Sequence, residues 1–258
     1  MNETFEERFK VCTWDVDQSD RLTIAAACNY FQEAAGHHAS VLGVGSEFMK
    51  ANGIVWILSR MSAELGSRPG SGARLTVRTW PRGTDRLFAI RDYELRNEAG
   101  AVVGRGRSAW LIVDGASFRP RRPEAIAAGL PTNVGLEALP GGAQAIKAAK
   151  GLARTGDRAV AYSDLDSNGH MNNARYVQWI QDALDPDELA GASGIRLDLN
   201  YLVEMKIGSS AGIWSRRLDG PGIADGDGTA AGDWTSRWAL EGRTPADLST
   251  FRAELSLR

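Results

Sequence analysis

The side chains in this sequence best suited to chemistry gather in one run, Asp164-Leu165-Asp166-Ser167-Asn168-Gly169-His170-Met171-Asn172-Asn173. Asp166, Asn168 and His170 alternate, so an extended or turning segment can aim all three at one pocket. They supply a carboxylate acceptor, an amide with both donor and acceptor, and the one side chain that titrates near neutrality. A purely structural role is open as well. Asp and Asn ahead of a helix are ordinary caps and turn formers, and a histidine there can serve only to satisfy a backbone carbonyl.

Glu204 joins this set by reach. A helix over 173–184 advances about 18 Å, and a strand over 195–203 returns about 30 Å. The far end of that strand can therefore lie beside the helix start, where a carboxylate could serve as base for a water molecule. The alternative is a Glu204 that faces solvent or pairs with Lys206 or Arg196.

These residues need a strand before them, a helix after them and a strand beyond. Residues 158–163 read as the first strand. Asn172 or Asn173 can cap a helix with Tyr176, Ile180, Ala183 and Leu184 on one side, ended with help from Pro186. Residues 195–203 alternate Ile195, Leu197, Leu199 and Tyr201 against Arg196, Asp198 and Asn200. Strands near 211–218, 232–240 and 250–257 follow, interrupted by a glycine-rich loop over 219–232.

The first half has the same plan. Thr23 can cap a helix carrying Ile24, Ala27, Phe31 and Ala34 at helical spacing, with an end near Gly43. Strands are expected over 53–64, 73–80, 87–96 and 101–113, with Asn97–Gly100 as a hairpin turn. A helix followed by strands, without strict alternation, predicts an α+β fold with a mostly antiparallel sheet. Residues 119–157 are rich in proline, then in Ala, Gly and Lys, and read as a connector with a short helix near 143–153. Acidic residues in Asp15–Asp20 and in Asp164–Asp166 each precede a helix with an aromatic-polar run, Tyr30-Phe31-Gln32-Glu33 and Tyr176-Val177-Gln178-Trp179. That likeness suggests duplication of one helix-on-sheet unit.

The run from Asp164 to Tyr176, followed by Trp179-Ile180, resembles the acyl-acyl carrier protein thioesterases of plants and bacteria. That family carries an Asp-x-Asn-x-His motif and a glutamate 34 residues after its histidine, the interval from His170 to Glu204. Leu58-Ser59-Arg60-Met61, Val77-Arg78-Thr79-Trp80 and Arg107-Ser108-Ala109-Trp110 extend the resemblance through the first half. It implies two tandem hotdog domains, each a long helix wrapped by an antiparallel sheet: residues 1–130 with the acyl-chain pocket, a connector over 131–157, and residues 158–258 with the catalytic set. The implied reaction is hydrolysis of the thioester between a fatty acyl chain and the phosphopantetheine arm of acyl carrier protein. The implied catalytic residues are Asp166, Asn168, His170 and Glu204.

Many plant members carry a cysteine directly after the glutamate. Here Met205 stands there, with no ionisable thiol, and Cys12 and Cys28 lie in the other half. Water is then the attacking group. Glu204 would activate it, Asn168 would position the carbonyl, His170 would orient groups or shuttle a proton, and Asp166 would hold the loop or the histidine. A backbone N–H near the second helix could stabilise the oxyanion. No metal and no redox cofactor is implied.

Other side chains carry weaker alternatives. His37 and His38 suggest a metal site, with Glu33 four residues before His37 on the same helix face, but a third clear ligand is lacking. Glu33 could instead be a helix carboxylate that takes part in the reaction, or a solvated one. Trp56, Met61, Phe31 and Ile24 could line an acyl pocket or form plain core. Arg68, Arg74, Arg78, Arg82, Arg119, Arg121 and Arg122 could meet an acidic carrier protein or simply be solvated.

Composition bounds the rest. The chain has 258 residues, 43% hydrophobic and 24% charged, with a formal charge of −2. That length suits two domains, and the charge gives no field for nucleic acid. Two cysteines are too few for a disulfide scaffold, and the first residues lack the apolar core of a secretion signal. No apolar run approaches the length that spans a bilayer. A cytoplasmic protein is the expectation, acting on acyl carrier protein and its fatty acyl chain, with a homodimer allowed. Acyl-CoA hydrolysis on the same fold, a non-catalytic acyl-binding protein and a hotdog hydratase are the competing readings.

Overall fold

Thr23 starts the first helix as the spacing predicts, its hydroxyl accepting from the Ala26 N–H at 3.2 Å. In the computed structural model, which describes residues 4–123, 126, 130–218 and 234–258, the first half runs β1 (Phe5–Lys10), α1 (Ile24–Val41), α2 (Ser46–Ala51), β2 (Ile54–Leu65), β3 (Arg74–Asp85), β4 (Phe88–Asn97), β5 (Val102–Asp114) and β6 (Pro120–Arg121). The second half runs β7 (Ala153–Ala159), α3 (Asn173–Gln181), α4 (Pro186–Gly191), β8 (Ile195–Tyr201), β9 (Ser210–Leu218), β10 (Ser236–Arg243) and β11 (Ser249–Leu257). Residues 219–233, with the glycine-rich loop and the start of the strand expected at 232, lie outside the described residues.

The strands form one antiparallel sheet in the order β1-β3-β4-β5-β2-β8-β11-β10-β9-β7, with β6 paired to β5. Read from its two ends, the order is the same: a strand before the helix, three strands after the next, and the strand that follows the helix at the centre. The halves meet where β2 and β8 pair, Met61 opposite Leu199 and Ala63 opposite Leu197. This is the α+β, duplicated helix-on-sheet plan expected from the sequence.

Alternation sorts the two faces. Met61, Ala63, Leu65, Leu197 and Leu199 turn to the helices and are buried. Phe31 of α1 stacks on Tyr93 of β4 at 4.9 Å between ring centroids. The helices lie side by side in opposite senses: Gln181 accepts from the Ala25 N–H at 3.1 Å, and the Asn173 amide donates to Gln32 at 3.0 Å.

The opposite face is polar, and the connector covers it. Asn200 donates to the Gln144 carbonyl at 2.9 Å and accepts from the Ile146 N–H at 2.7 Å. Ser62 accepts from the Ala143 N–H at 2.6 Å, and Asp92, itself held by Arg107 at 2.7 Å, accepts from the Ala138 N–H at 2.9 Å. These bonds explain a departure from expectation. No helix forms over 143–153, because this backbone spends its hydrogen bonds on the sheet rather than on itself. The strand expected at 158–163 lies earlier, at Ala153–Ala159, followed by a single 3-10 turn at Tyr162–Asp164.

Two further departures are local. Strand β1 was not expected from its charged sequence; it lies on the edge of the sheet beside β3, where alternate residues meet solvent. The second helix ends at Gln181 instead of 184, and Pro186 starts α4 at its first position, capped by Asp185, whose side chain accepts from the Asp187 N–H. Among the described residues no helix is long and apolar enough to cross a membrane.

Candidate active site

The run 164–173 forms a tight loop between β7 and α3. Asp166 N–H donates to the His170 carbonyl at 2.8 Å, and Gly169 N–H to the Asp166 carbonyl at 3.0 Å. Gly169 has φ +77°, a conformation open to glycine at little cost. The Asp166 carboxylate sits inside the turn and accepts from the N–H groups of Asn168 (2.8 Å) and His170 (3.2 Å). Its role in the structure is thus to shape the loop. Asn172 caps α3 by accepting from the Ala174 N–H at 2.8 Å.

The segment after β8 comes back to this loop. Met171 N–H donates to the Met205 carbonyl at 2.8 Å, and His170 and Lys206 form an isolated antiparallel bridge. Across that bridge, His170 Nδ1 lies 2.6 Å from Glu204 Oε1. The other Glu204 oxygen is 3.7 Å from Lys206 Nζ. Arg196, the other partner weighed for Glu204, pairs instead with Asp198 at 2.9 Å. His170 and Glu204 are both partly open to solvent, as a pair acting on a water molecule requires.

Asp166, Asn168, His170 and Glu204 all line one cleft of about 1180 Å³. Asn168 is exposed there, its amide 3.5 Å from the second Asp166 oxygen. The cleft continues into the first half along Met49, Ile54, Trp56 and Leu58. Of the four apolar candidates from the sequence, Trp56 lines it. Ile24, Phe31 and Met61 are buried in the core, where they make the helix-sheet contact instead.

Other candidates resolve differently. His37 contacts Glu7 at 2.9 Å and Glu33 at 3.2 Å on the surface, while His38 is buried against Arg91 at 3.0 Å. Among the described residues no three metal-binding side chains come together. Glu33 also lines the cleft, where it pairs with His37. Burial pushes the Cys28 thiol up to about 12, so it is no thiolate at neutral pH. Arg68 is not on a surface that could meet a carrier protein: it is buried and paired with Asp17.

The sequence did not mark Tyr176 as more than apolar core. Its hydroxyl accepts from the Met205 N–H at 3.1 Å, beside Glu204. A tyrosine in an apolar stripe shows its polar end only once the strand opposite is known.

The first half contains a second copy of this loop. Asp17 accepts from the N–H groups of Ser19 (2.9 Å) and Arg21 (3.2 Å), as Asp166 does from Asn168 and His170. Leu22 N–H donates to the Pro69 carbonyl at 3.0 Å, as Met171 does to Met205. Arg21 thus takes the place of His170, and Arg68 that of Glu204. Among the described residues, this copy of the loop places an arginine against Asp17 where the other places an imidazole against a carboxylate.

With this geometry in view, comparisons place the chain. The family model for the acyl-ACP thioesterase N-terminal domain matches residues 2–129, and that for the C-terminal domain matches residues 151–231. The chain is 23% identical to the chloroplastic oleoyl-acyl carrier protein thioesterase 1 of Arabidopsis thaliana, over 77% of this chain and 59% of that protein. It is 22% identical to the chloroplastic palmitoyl-acyl carrier protein thioesterase of Cuphea hookeriana, over 76% of this chain and 51% of that protein. The chain therefore spans little more than half the length of these curated relatives. Its fold is shared with an acyl-ACP thioesterase from Bacteroides thetaiotaomicron (TM-score 0.85, 21% identity, 100% of this chain and 98% of that one). It is shared also with a 12:0-ACP thioesterase from Umbellularia californica (TM-score 0.81, 19% identity, 99% and 94%). These likenesses show the hotdog-type fold that the sequence resemblance implied. From the two matching domain models, which together take in most of the sequence, it follows that the chain belongs to the acyl-ACP thioesterase family.

Proposed function

We propose that this protein hydrolyses the thioester of a fatty acyl chain carried on acyl carrier protein, releasing free fatty acid and the carrier thiol. The observation that carries this reading is the 2.6 Å contact between His170 and Glu204 at the mouth of a cleft with an apolar wall. In this reading residues 1–130 hold the acyl chain, residues 158–258 hold the reacting groups, and residues 131–157 join them.

Glu204 accepts a proton from water as its oxygen attacks the thioester carbon. Asn168 holds the carbonyl oxygen, with the first turn of α3 as the positive end of a helix close by. The tetrahedral intermediate then breaks its C–S bond. The departing phosphopantetheine sulfur takes the proton, passed through His170, and the carboxylic acid leaves from the other side. Asp166 keeps the loop in the shape that points His170 at Glu204. No metal or redox cofactor enters these steps. The free thiols Cys12 and Cys28 fit a reducing, cytoplasmic setting, and a homodimer is compatible with one complete site per chain.

The test is release of free thiol from purified protein given acyl-carrier and acyl-CoA thioesters of several chain lengths. Preferred turnover of carrier thioesters is the expected result. Preference for acyl-CoA would move the assignment to a CoA thioesterase on the same fold, and no release from any thioester would leave a non-catalytic acyl-binding protein.

A further inference from the structure

Glu204 stands on an irregular segment between β8 and β9, and its side chain is exposed. A base in such a place acts reproducibly only if its backbone is held, since displacements near 1 Å can cost about 10²-fold in rate. The peptides on either side of Glu204 share one partner. The Tyr176 hydroxyl accepts from the Met205 N–H at 3.1 Å and points its own proton at the Val203 carbonyl, 3.5 Å away. Tyr176 is in turn rooted: its ring is buried, edge-on to Tyr201 at 5.3 Å and to Phe251 at 6.1 Å. It is the fourth residue of α3, the helix into which the His170 loop leads.

We infer that Tyr176 is a positioning residue, whose hydroxyl clamps the two peptides flanking Glu204 and so holds the carboxylate against His170. This rests on the reading of Glu204 as the base. Burial pushes the hydroxyl up to about 12, with the Met205 N–H bond opposing and the Glu204 charge adding, so it stays protonated and serves as donor and acceptor together. The duplicated half supplies an independent comparison. The fourth residue of α1 is Ala27, buried in the core, and the segment opposite carries Arg68 where Glu204 would be. The clamp is present on the side with a carboxylate to hold and missing on the side without one.

Tyr176→Phe keeps the ring and removes only the hydroxyl. Its kcat on an acyl-carrier thioester should fall about tenfold, with KM changed by less than about twofold. Exchange of the Met205 amide with deuterium should quicken. In a Glu204→Gln background the same change should cause no further loss. Wild-type kcat in Tyr176→Phe, an unchanged Met205 amide, or an equal loss in both backgrounds would overturn the clamp. Full turnover by Glu204→Gln alone would strike down the base reading and the clamp with it. An inactive Glu204→Gln beside a fully active Tyr176→Phe would remove the clamp alone. If the phenylalanine variant folds poorly, 3-fluorotyrosine at 176 keeps the shape and weakens the acceptor; a smaller fall in kcat is expected there, and no fall would overturn the proposal.

Discussion

Arg68 occupies, in the first half, the place that Glu204 holds in the second. Instead of facing an imidazole across a cleft, its guanidinium is buried. It pairs with Asp17, donates to the Leu22 carbonyl at 3.0 Å, and reaches into the other half to the carbonyls of Leu189 (2.7 Å) and Ala192 (3.1 Å). Arg21, in the place of His170, donates to the same Ala192 carbonyl at 3.0 Å. A position that meets an imidazole across the cleft on one side ties the halves together on the other.

Removing this tie should cost stability without touching turnover. Arg68→Met leaves Asp17 without its cation and takes a donor from the carbonyls of Leu22, Leu189 and Ala192, a loss of about 3 kcal/mol by the measure of broken buried pairs. Urea unfolding should show a midpoint well below wild type, while the folded variant keeps its kcat. A midpoint that does not move would mean that the arginine is not what joins these segments.

Glu204→Gln and His170→Ala should each lower kcat by about 10²-fold or more, the scale of lost acid–base assistance. Melting temperatures near wild type would show that the loss is chemical. Either variant working at close to the normal rate would take that residue out of the mechanism.

Cysteine chemistry should be dispensable. With Met205 after the glutamate and the Cys28 thiol raised to about 12 by burial, a thiolate nucleophile is scarce at neutral pH. The double variant Cys12→Ser, Cys28→Ala should keep most of its activity. Complete loss in a protein that still melts like wild type would defeat attack by water.

His37 supplies a pH-dependent term. The hydrogen bond that its ring donates to Glu7 raises its pKa above the ordinary histidine value; desolvation opposes this, and the Glu7 and Glu33 charges add to the rise. The folded state therefore favours the protonated ring. That stabilisation is complete below the unfolded histidine pKa and is lost as pH rises through the higher, folded one. His37→Gln should lower the melting temperature at about pH 5 and leave it little changed at about pH 8.5. An equal drop at both would assign the effect to packing.

The long elements were legible because their patterns are clean. Thr23 and Asn172 mark the two helix starts, and β2, β4, β5 and β8 follow apolar alternation with ends within a residue or two of expectation. Helix and strand lengths allowed the approach of Glu204 to His170 while leaving a solvent-facing Glu204 open, and the family interval between the two residues favoured the approach. The connector was not, because residues such as Ala143 and Ile146 reveal their fate only against Ser62 and Asn200 of distant strands. Strand β1 was missed because an edge strand with charges on alternate positions looks like a solvated terminus. Tyr176 was read as core, since nothing local shows where its hydroxyl ends.

The mirrored strand order has one more consequence. In an assembly of two identical subunits, every amino-acid change is made twice, so neither copy can specialise alone. Here both copies are written into a single polypeptide, and a change on one side leaves the other untouched. Arginines could replace a histidine and a glutamate at one end of the molecule while the imidazole-carboxylate pair stayed whole at the other, leaving one open cleft and one permanent fastening.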